Sequence, residues 1–294
     1  MKIAVTGAGS FIGAAFHRFC ERRGIEWVGV DVKPGPGRIE ADIARPGWWE
    51  ALPEGIDSLV HLAAVSRDAD CRRDPARAIE VNLAGTARVI EAAKVRGIGQ
   101  IVFASSEWVY GDVDASLKNE DTPIEATSLT GEYALTKLCG ERLLWMANAR
   151  SGVGATVLRF GIVYGPRPDN WSAVEALHDA VGRQERVQVG ARLTGRRFIH
   201  VDDIAAGLGA SLGRGGFEVF NLTGDRVVTL GEIVEASACV HGRKTPEVEE
   251  RDPGRVTVRN IDNARAKAAL GWRPGVSLHE GLAGLVHLPA GVAR

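Results

Sequence analysis

Tyr133 and Lys137 stand four residues apart in GEYALTKLCGERLL, a spacing that puts both side chains on one face of a helix. An ammonium group beside a phenol favours the phenolate and lowers its pKa, which makes a tyrosine usable as an acid/base near neutral pH. Upstream, FASSEWVYG sets Ser105 and Ser106 just past the C-terminal end of an apolar run. Open α/β sheets bind ligands at that edge, so a serine hydroxyl there can hold a substrate oxygen while Tyr133 moves its proton. Near the start, AVTGAGSFIGAAF (residues 4–16) places three glycines between a strand-like run and a helix-like one. Gly7 allows a tight turn and Gly13 close helix packing, while the N–H groups and positive dipole end of the helix suit a pyrophosphate. Asp31 closes the second apolar run, 24 residues after Gly7. A carboxylate there accepts both ribose hydroxyls of NAD and repels a 2′-phosphate, although Lys33 and Arg38 nearby weaken that exclusion.

The elements that must position these groups follow from the apolar pattern. KIAVT (2–6), EWVGVD (26–31), DSLVHLA (57–63), QIVFAS (100–105) and ATVLRF (155–160) are near-continuous apolar runs. Such runs suit parallel strands buried on both faces. Helical patterns lie between them near 11–23, 75–97 and 131–151. The alternation predicts an α/β fold, a Rossmann-type doubly wound parallel sheet. After residue 165 the pattern loosens. GPRPDN marks a boundary, WSAVEALHDAVGR reads as a helix, FIHVDDIAAGLGASL as a strand and helix, and 229–241 and 262–270 as amphipathic segments. The expected division is a Rossmann domain over 1–165, rejoined by 197–222. A smaller interleaved substrate lobe takes 166–196 and 223–294.

The 294 residues carry a formal net charge of -1, with 45% hydrophobic residues. That balance offers no electrostatic reason for a nucleic-acid or anionic-membrane partner. The four cysteines, Cys20, Cys71, Cys139 and Cys239, have no metal-ligand or CxxC spacing and read as reduced thiols. No secretory leader pattern or membrane-length apolar stretch is present, so a cytoplasmic enzyme is expected. Arg167, Arg183, Arg186, Arg192, Arg196 and Arg197 could form an anion-binding wall or a solvated face. Trp48 and Trp49 read as packing residues, Trp171 as a cover for a sugar or cofactor face, and Trp108 as a pocket wall. His200 followed by Asp202 and Asp203 has no second ligand cluster, and no metal is expected.

Together these residues resemble an extended short-chain dehydrogenase/reductase of the NAD-dependent epimerase/dehydratase family. The landmarks run in order from VTGAGSFIG through Asp31, ADI (41–43), HLAA (61–64), VNLAGT (81–86), SSEWVYG, YALTK, LRFGIVYGPR (158–167), RRFIHVDDIA (196–205) and NLTG (221–224) to DNARAKAALGWRP (262–274). The resemblance implies that Gly7, Gly9, Ser10, Phe11, Ile12 and Gly13 line the pyrophosphate and Asp31 the adenine ribose. Asp42 and Ile43 would flank the adenine, and Leu62, Ala63 and Ala64 would pass under the cofactor's middle. Asn82 would steady the strand edge. Tyr133 and Lys137 would be the catalytic pair, Lys137 also holding the nicotinamide ribose, with Ser106 as the partner hydroxyl. Ser105, Glu107, Trp108, Arg167, Arg196, Arg251 and Arg255 would contact substrate. The resemblance also implies a homodimer, paired through the 75–97 and 131–151 helices.

Four departures shape the expected activity. The family's middle glycine is Ser10, tolerable where φ is negative. The usual asparagine of the LRxxNVYGP stretch is Ile162, and the usual acid after Arg196 is Arg197. The carboxylate pair that dehydratases carry before VYG is here Glu107-Trp108, which disfavours elimination of water. The expectation is an NAD-dependent epimerase of a sugar or sugar nucleotide. A dehydrogenase or reductase of a sugar, sugar acid or small carbonyl compound is the alternative. A non-catalytic NAD-binding scaffold has no need of the Ser-Tyr-Lys set.

Overall fold

A computed structural model describes residues 1–111, 116–167 and 172–285. Trp171 and the end of the chain beyond residue 285 lie outside the described residues. Seven parallel strands form one sheet: β1 Lys2–Thr6, β2 Glu26–Asp31, β3 Arg38–Glu40, β4 Ser58–His61, β5 Gln100–Ser106, β6 Gly154–Phe160 and β7 Phe217–Leu222. Their order is β7-β6-β5-β4-β1-β2-β3, so the chain winds outward both ways from β1 and β4. Pairing is in register along β5 and β6, with Gln100 opposite Gly154 and Ser106 opposite Phe160. β4, β5 and β6 are buried along their whole length, as their apolar runs require.

The helices are α1 Phe11–Arg23, α2 Asp68–Arg73, α3 Pro75–Ile79, α4 Gly85–Val95, α5 Glu132–Ser151, α6 Ala173–Arg183, α7 Val201–Ala210, α8 Leu230–Val240, α9 Ala264–Leu270 and α10 Leu278–Ala283. Strand alternation splits the core. Ile3, Val5, Val60, Val102 and Leu158 face Phe16, Ile204 and Leu208 on one side. Ala4, Leu59, Ile101, Phe103 and Val157 face Val89, Ile90 and Leu144 on the other. Trp48 and Trp49 are buried in that second layer, as packing residues. A separate apolar cluster joins α6, α8 and α10 through Val174, Leu177, Val181, Ile233, Val234 and Leu282. Ala266 and Trp272, although late in the chain, pack against the main sheet rather than in this cluster. No helix among the described residues is long and apolar enough to cross a membrane.

One expected element is broken. The pattern over 75–97 is not a single helix: α3 and α4 are separated by a π-helical turn at Glu80–Ala84. Such a turn inserts an extra residue into the helical ladder and is a frequent mark of a functional position. Here it carries Asn82.

α5 is set against the sheet by polar contacts as much as by apolar ones. Glu141 makes a two-pronged ion pair with Arg159 of β6, at 2.7 and 3.0 Å, and both side chains are buried. Arg159 also donates to the Tyr110 hydroxyl at 2.9 Å, which donates to Asn221 of β7 at 2.9 Å. Close approach needs Gly140, where a Cβ would lie 2.7 Å from the Phe103 ring. Glu141→Gln is expected to lower unfolding stability by about 3–5 kcal/mol, because it strands a buried guanidinium. Urea denaturation measures this, and a loss under 1 kcal/mol, roughly the scale of an exposed pair, would refute it.

Candidate active site

The glycine stretch forms a close-fitting cradle. Gly7 has φ +72°, and a Cβ on it would sit 2.6 Å from the Ala63 nitrogen. A Cβ on Gly13 would sit 2.6 Å from the Gly7 carbonyl. Ser10 caps α1 with φ −72°, its hydroxyl accepting from the Gly13 N–H at 3.0 Å, so serine at this position costs the backbone nothing. Ile12 packs against the sheet core, and the Phe11 ring lies under the Arg167 guanidinium, 4.4 Å from its centroid.

Asp31 is already ordered, accepting from the Gly9 N–H at 2.8 Å and the Lys33 N–H at 3.0 Å. Arg38 lies across the same glycine, where a Cβ would meet its Nη1 at 2.6 Å and the Asp31 Oδ2 at 3.1 Å. Asp42 accepts from the Ala44 N–H at 2.9 Å and pairs with Arg77, while Ile43 packs against Gly85. Leu62 continues the ladder past β4 by donating to the Thr6 carbonyl; Ala63 and Ala64 follow at the sheet edge. The cradle, the helix end and the placed carboxylate fit a dinucleotide with a free adenine ribose.

A buried hydrogen-bond chain runs from this cradle to α5. Thr86 donates to the Asn82 carbonyl at 2.6 Å, so at 3.1 Å its oxygen accepts from His61 Nε2. His61 Nδ1 is therefore bare and accepts from Thr6 at 2.8 Å. Desolvation and the nearby Lys137 push the ring down to about 3, so it is neutral. Asn82 grips the backbone of Val65 with both ends of its amide, at 2.8 and 3.0 Å, and donates to Thr136 at 3.1 Å. Thr136 in turn donates to the Tyr133 carbonyl at 2.9 Å. Asn82 thus ties the sheet edge to the first turn of α5.

The structure brings Tyr133, Ser106 and Lys137 together. The Ser106 side chain lies near enough to the Tyr133 hydroxyl to favour its ionised form. The Lys137 ammonium lies 4.8 Å from the Phe103 ring centre and 5.8 Å from that of Tyr133. The expected depression of the tyrosine is corrected here. Desolvation of the hydroxyl end pushes Tyr133 up to about 12, against the downward pull of Ser106, even though the residue as a whole is only half-buried. The ammonium is itself desolvated, which pushes Lys137 down to about 8. Burial therefore governs both groups.

Several other candidates fall elsewhere. Ser105 shares the strand face of Phe103 and donates to Glu141 at 2.5 Å, away from Ser106. Arg167 is committed to buried Glu175 and to the Val163 carbonyl, and braces the second lobe against Phe11. Arg251 and Arg255 are exposed on the turn after the short strand Glu247–Glu250, where Arg255 closes the turn onto the Asp252 carbonyl, and neither borders the Tyr133 pocket. His200 caps α7, accepting from the Asp202 N–H, and packs on Tyr164. Ile162 leans on the second apolar cluster.

The pocket beside Tyr133 is walled by Asp68, Trp108, Gly131, Ala134 and Arg259. Sequence reasoning missed Arg259. Its guanidinium stacks on Trp108, 4.1 Å from the ring centre, and reaches the Glu107 carbonyl at 3.4 Å. The signal lay in RVTVRN, whose alternation puts Thr257 and Arg259 on one side. Arg196 donates to the Thr257 hydroxyl at 2.9 Å and to its carbonyl at 2.7 Å, which holds its charge near Glu107. Glu107 is 1% exposed, and no hydrogen bond reaches either carboxylate oxygen.

A doubly wound sheet with a glycine cradle at one crossover and a Ser-Tyr-Lys cluster at the C-terminal edge of β5 defines a dinucleotide-dependent Rossmann enzyme. The NAD dependent epimerase/dehydratase family matches residues 3–222, and the chain belongs to it as an NAD-dependent enzyme. It is 31% identical to a UDP-glucose 4-epimerase of Mycolicibacterium smegmatis, over 96% of each chain. Its structure is similar to that of a UDP-glucose 4-epimerase from Thermotoga maritima solved with UDP-glucose (TM-score 0.87, 27% identity, 97% of each chain). It is also similar to MoeE5 in complex with UDP-glucose and NAD (TM-score 0.84, 30% identity, 97% of each chain).

Desolvation pushes Glu107 up to about 7 from an ordinary 4.5, against the pull of Arg259 and Arg196. The folded protein therefore holds this proton more tightly than the unfolded chain. That stabilisation is full below pH 4.5 and is lost as pH rises through 7. Glu107→Gln does not titrate, so its stability relative to the parent should climb between those two values and then level off. The gain is up to about 3 kcal/mol. Urea unfolding across pH measures it, and parallel curves for the two proteins would contradict it.

Proposed function

We propose that the chain is an NAD-dependent epimerase of nucleotide-linked sugars. The carrying observation is the gathering of Tyr133, Ser106 and Lys137 at the sheet edge that the glycine cradle also faces, with Lys137 one helical turn from Tyr133. Bound NAD supplies reversible hydride uptake at the sugar carbon. Gly7, Gly9, Ser10 and the N-terminus of α1 hold its pyrophosphate, and Asp31 its adenine ribose. Ser106 orients the sugar oxygen. Tyr133 takes the hydroxyl proton and later returns it. Lys137, pushed down to about 8 and so still mostly protonated at neutral pH, favours the phenolate as an ammonium. Segments 166–196 and 223–294 supply the nucleotide side of the cleft.

One observation favours a second reading, net oxidation or reduction of a sugar. Ile162 is packed with apolar neighbours where the family's usual asparagine would face substrate. Turnover separates the two readings. With UDP-glucose, an epimerase forms the 4-epimer with no net NADH, whereas a dehydrogenase accumulates NADH in step with product. Tyr133→Phe should bind NAD nearly as well as the parent, since the ring still packs, and lose about 10²–10⁴-fold in turnover. Near-normal turnover of this variant would overturn the assignment.

The enzyme is a homodimer in this reading and acts in the cytoplasm. Leu135, Trp145 and Met146 on α5, with Val95 at the end of α4, are 40–65% exposed large apolar side chains. Two helices from each subunit can cover them as a four-helix bundle. All four cysteines are free thiols, which suits a reducing compartment. Light scattering at micromolar concentration should give twice the chain mass, and Trp145→Glu should shift it toward the monomer. A parent protein that is already monomeric would refute the dimer.

A further inference from the structure

Arg38 is bedded on glycine. It lies on β3 opposite Gly29 of β2, its stem passes over that residue, and its guanidinium reaches Gly35 and Gly9. A Cβ would meet the arginine side chain at 3.2 Å on Gly29, 2.8 Å on Gly35 and 2.6 Å on Gly9. Side chains at these positions would crowd it, so the sequence keeps a track open for one guanidinium to enter the cradle. Arg38 is half-buried, yet among the described residues no carboxylate pairs with its guanidinium and no side-chain hydrogen bond holds it. A cation seated in this way, without an anion, is fitted to receive one.

Which anion it receives follows from the neighbouring carboxylate. Asp31 ends β2 beside the same glycine, with its Oδ2 3.1 Å from the Gly9 Cβ position. An acid at this place turns away a phosphorylated adenine ribose when its charge stands alone. Here it does not. Oδ2 accepts from the Gly9 N–H, Oδ1 accepts from the Lys33 N–H, and Arg38 brings a full positive charge to the same spot. The pyrophosphate is served by the N-terminus of α1, whereas Arg38 comes from β3, the strand next to the one that Asp31 ends. A phosphate monoester carries close to two negative charges at neutral pH, and a guanidinium meets it through two parallel bonds. Resting on the reading of Asp31 as the adenine-ribose residue, we propose that Arg38 is a cofactor-specificity residue. It lets the ribose site take a 2′-phosphate, so that the protein binds NADP alongside NAD.

The test is made on binding. Titration calorimetry on protein freed of co-purified nucleotide gives the dissociation constants of NAD and NADP for the parent, Arg38→Ala and Asp31→Ala. The parent should bind NADP no more than about tenfold more weakly than NAD, and a larger gap overturns the proposal. In Arg38→Ala the gap should widen by about 10–100-fold, the scale of the charge-assisted hydrogen bonds removed. A widening of less than about tenfold, including the equal loss of both cofactors that a pyrophosphate contact would give, overturns the role of Arg38. Arg38→Gln, which keeps most of the stem over Gly29, takes the place of Arg38→Ala should the urea midpoint of that variant fall. Asp31→Ala keeps the two readings apart. If it weakens NAD while the gap is unmoved in the Arg38 variant, only the role of Arg38 fails. If its NAD affinity is unchanged, the ribose reading fails and takes the proposal with it.

Discussion

The active site depends on how α5 is rotated against the sheet, and the Glu141–Arg159 ion pair sets that rotation. Tyr133, Lys137 and Glu141 are spaced by four, so one helix face carries all three toward β5 and β6. Apolar packing alone would leave this face free to slip, because Leu, Val and Ala contacts are not directional. A planar guanidinium meeting a carboxylate through two bonds is directional. With Arg159 fixed in β6 and Glu141 fixed in α5, Lys137 can lie only over Phe103, and Tyr133 only beside Ser106. Gly140 lets the helix come near enough for the pair to close.

A second chain of bonds does the same for the other end of the helix. Asn82 sits in the π-helical turn between α3 and α4, and its amide binds Val65 as a neighbouring strand would. Through Thr136 the same side chain holds the first turn of α5. Through its main-chain carbonyl, Thr86 and neutral His61, Asn82 connects to Thr6 and the glycine cradle. Each donor in this series has one acceptor, so the tautomer of His61 is dictated by the network. The cradle and Tyr133 are thus held to a common frame, the C-terminal edge of β1, β4 and β5.

Much of this was legible in the residues. The apolar runs located five of the seven sheet strands; β3 and β7 were not read as strands, although 197–222, which contains β7, was placed with the Rossmann domain. Gly7, Gly13 and Asp31 occupy the positions their chemistry required. Ser10 fits because its φ is negative, the condition under which a side chain is tolerated. Other features were hidden for physical reasons. A π-helical turn leaves no mark in apolar spacing, so 75–97 read as one helix. α5 has polar residues on its inward face and Leu135, Trp145 and Met146 on its outward one, so amphipathic periodicity could not give its orientation. Alternation separates Ser105 from Ser106, but which of the two meets Tyr133 depends on the helix packed above them. Arg259 was overlooked in favour of Arg251 and Arg255 because a family resemblance points to a segment, not to which of its arginines is turned inward.

The perturbed groups share a single cause. Tyr133, Lys137 and Glu107 are all displaced toward their neutral forms by loss of water, and in each the opposing charges and hydrogen bonds are too weak to reverse it. A site that suppresses charge in this way is poised for a ligand whose hydroxyls replace the missing solvent. In the proposed reaction a sugar hydroxyl between Ser106 and Tyr133 would give its proton a path, with the Lys137 ammonium 5.8 Å from the tyrosine ring centre to balance a phenolate. In that reaction the acid/base strength of Tyr133 would be a property of the occupied pocket. The sequence motif supplies the two groups, the fold supplies the dryness, and the phenolate becomes favourable only when both are joined by a bound hydroxyl.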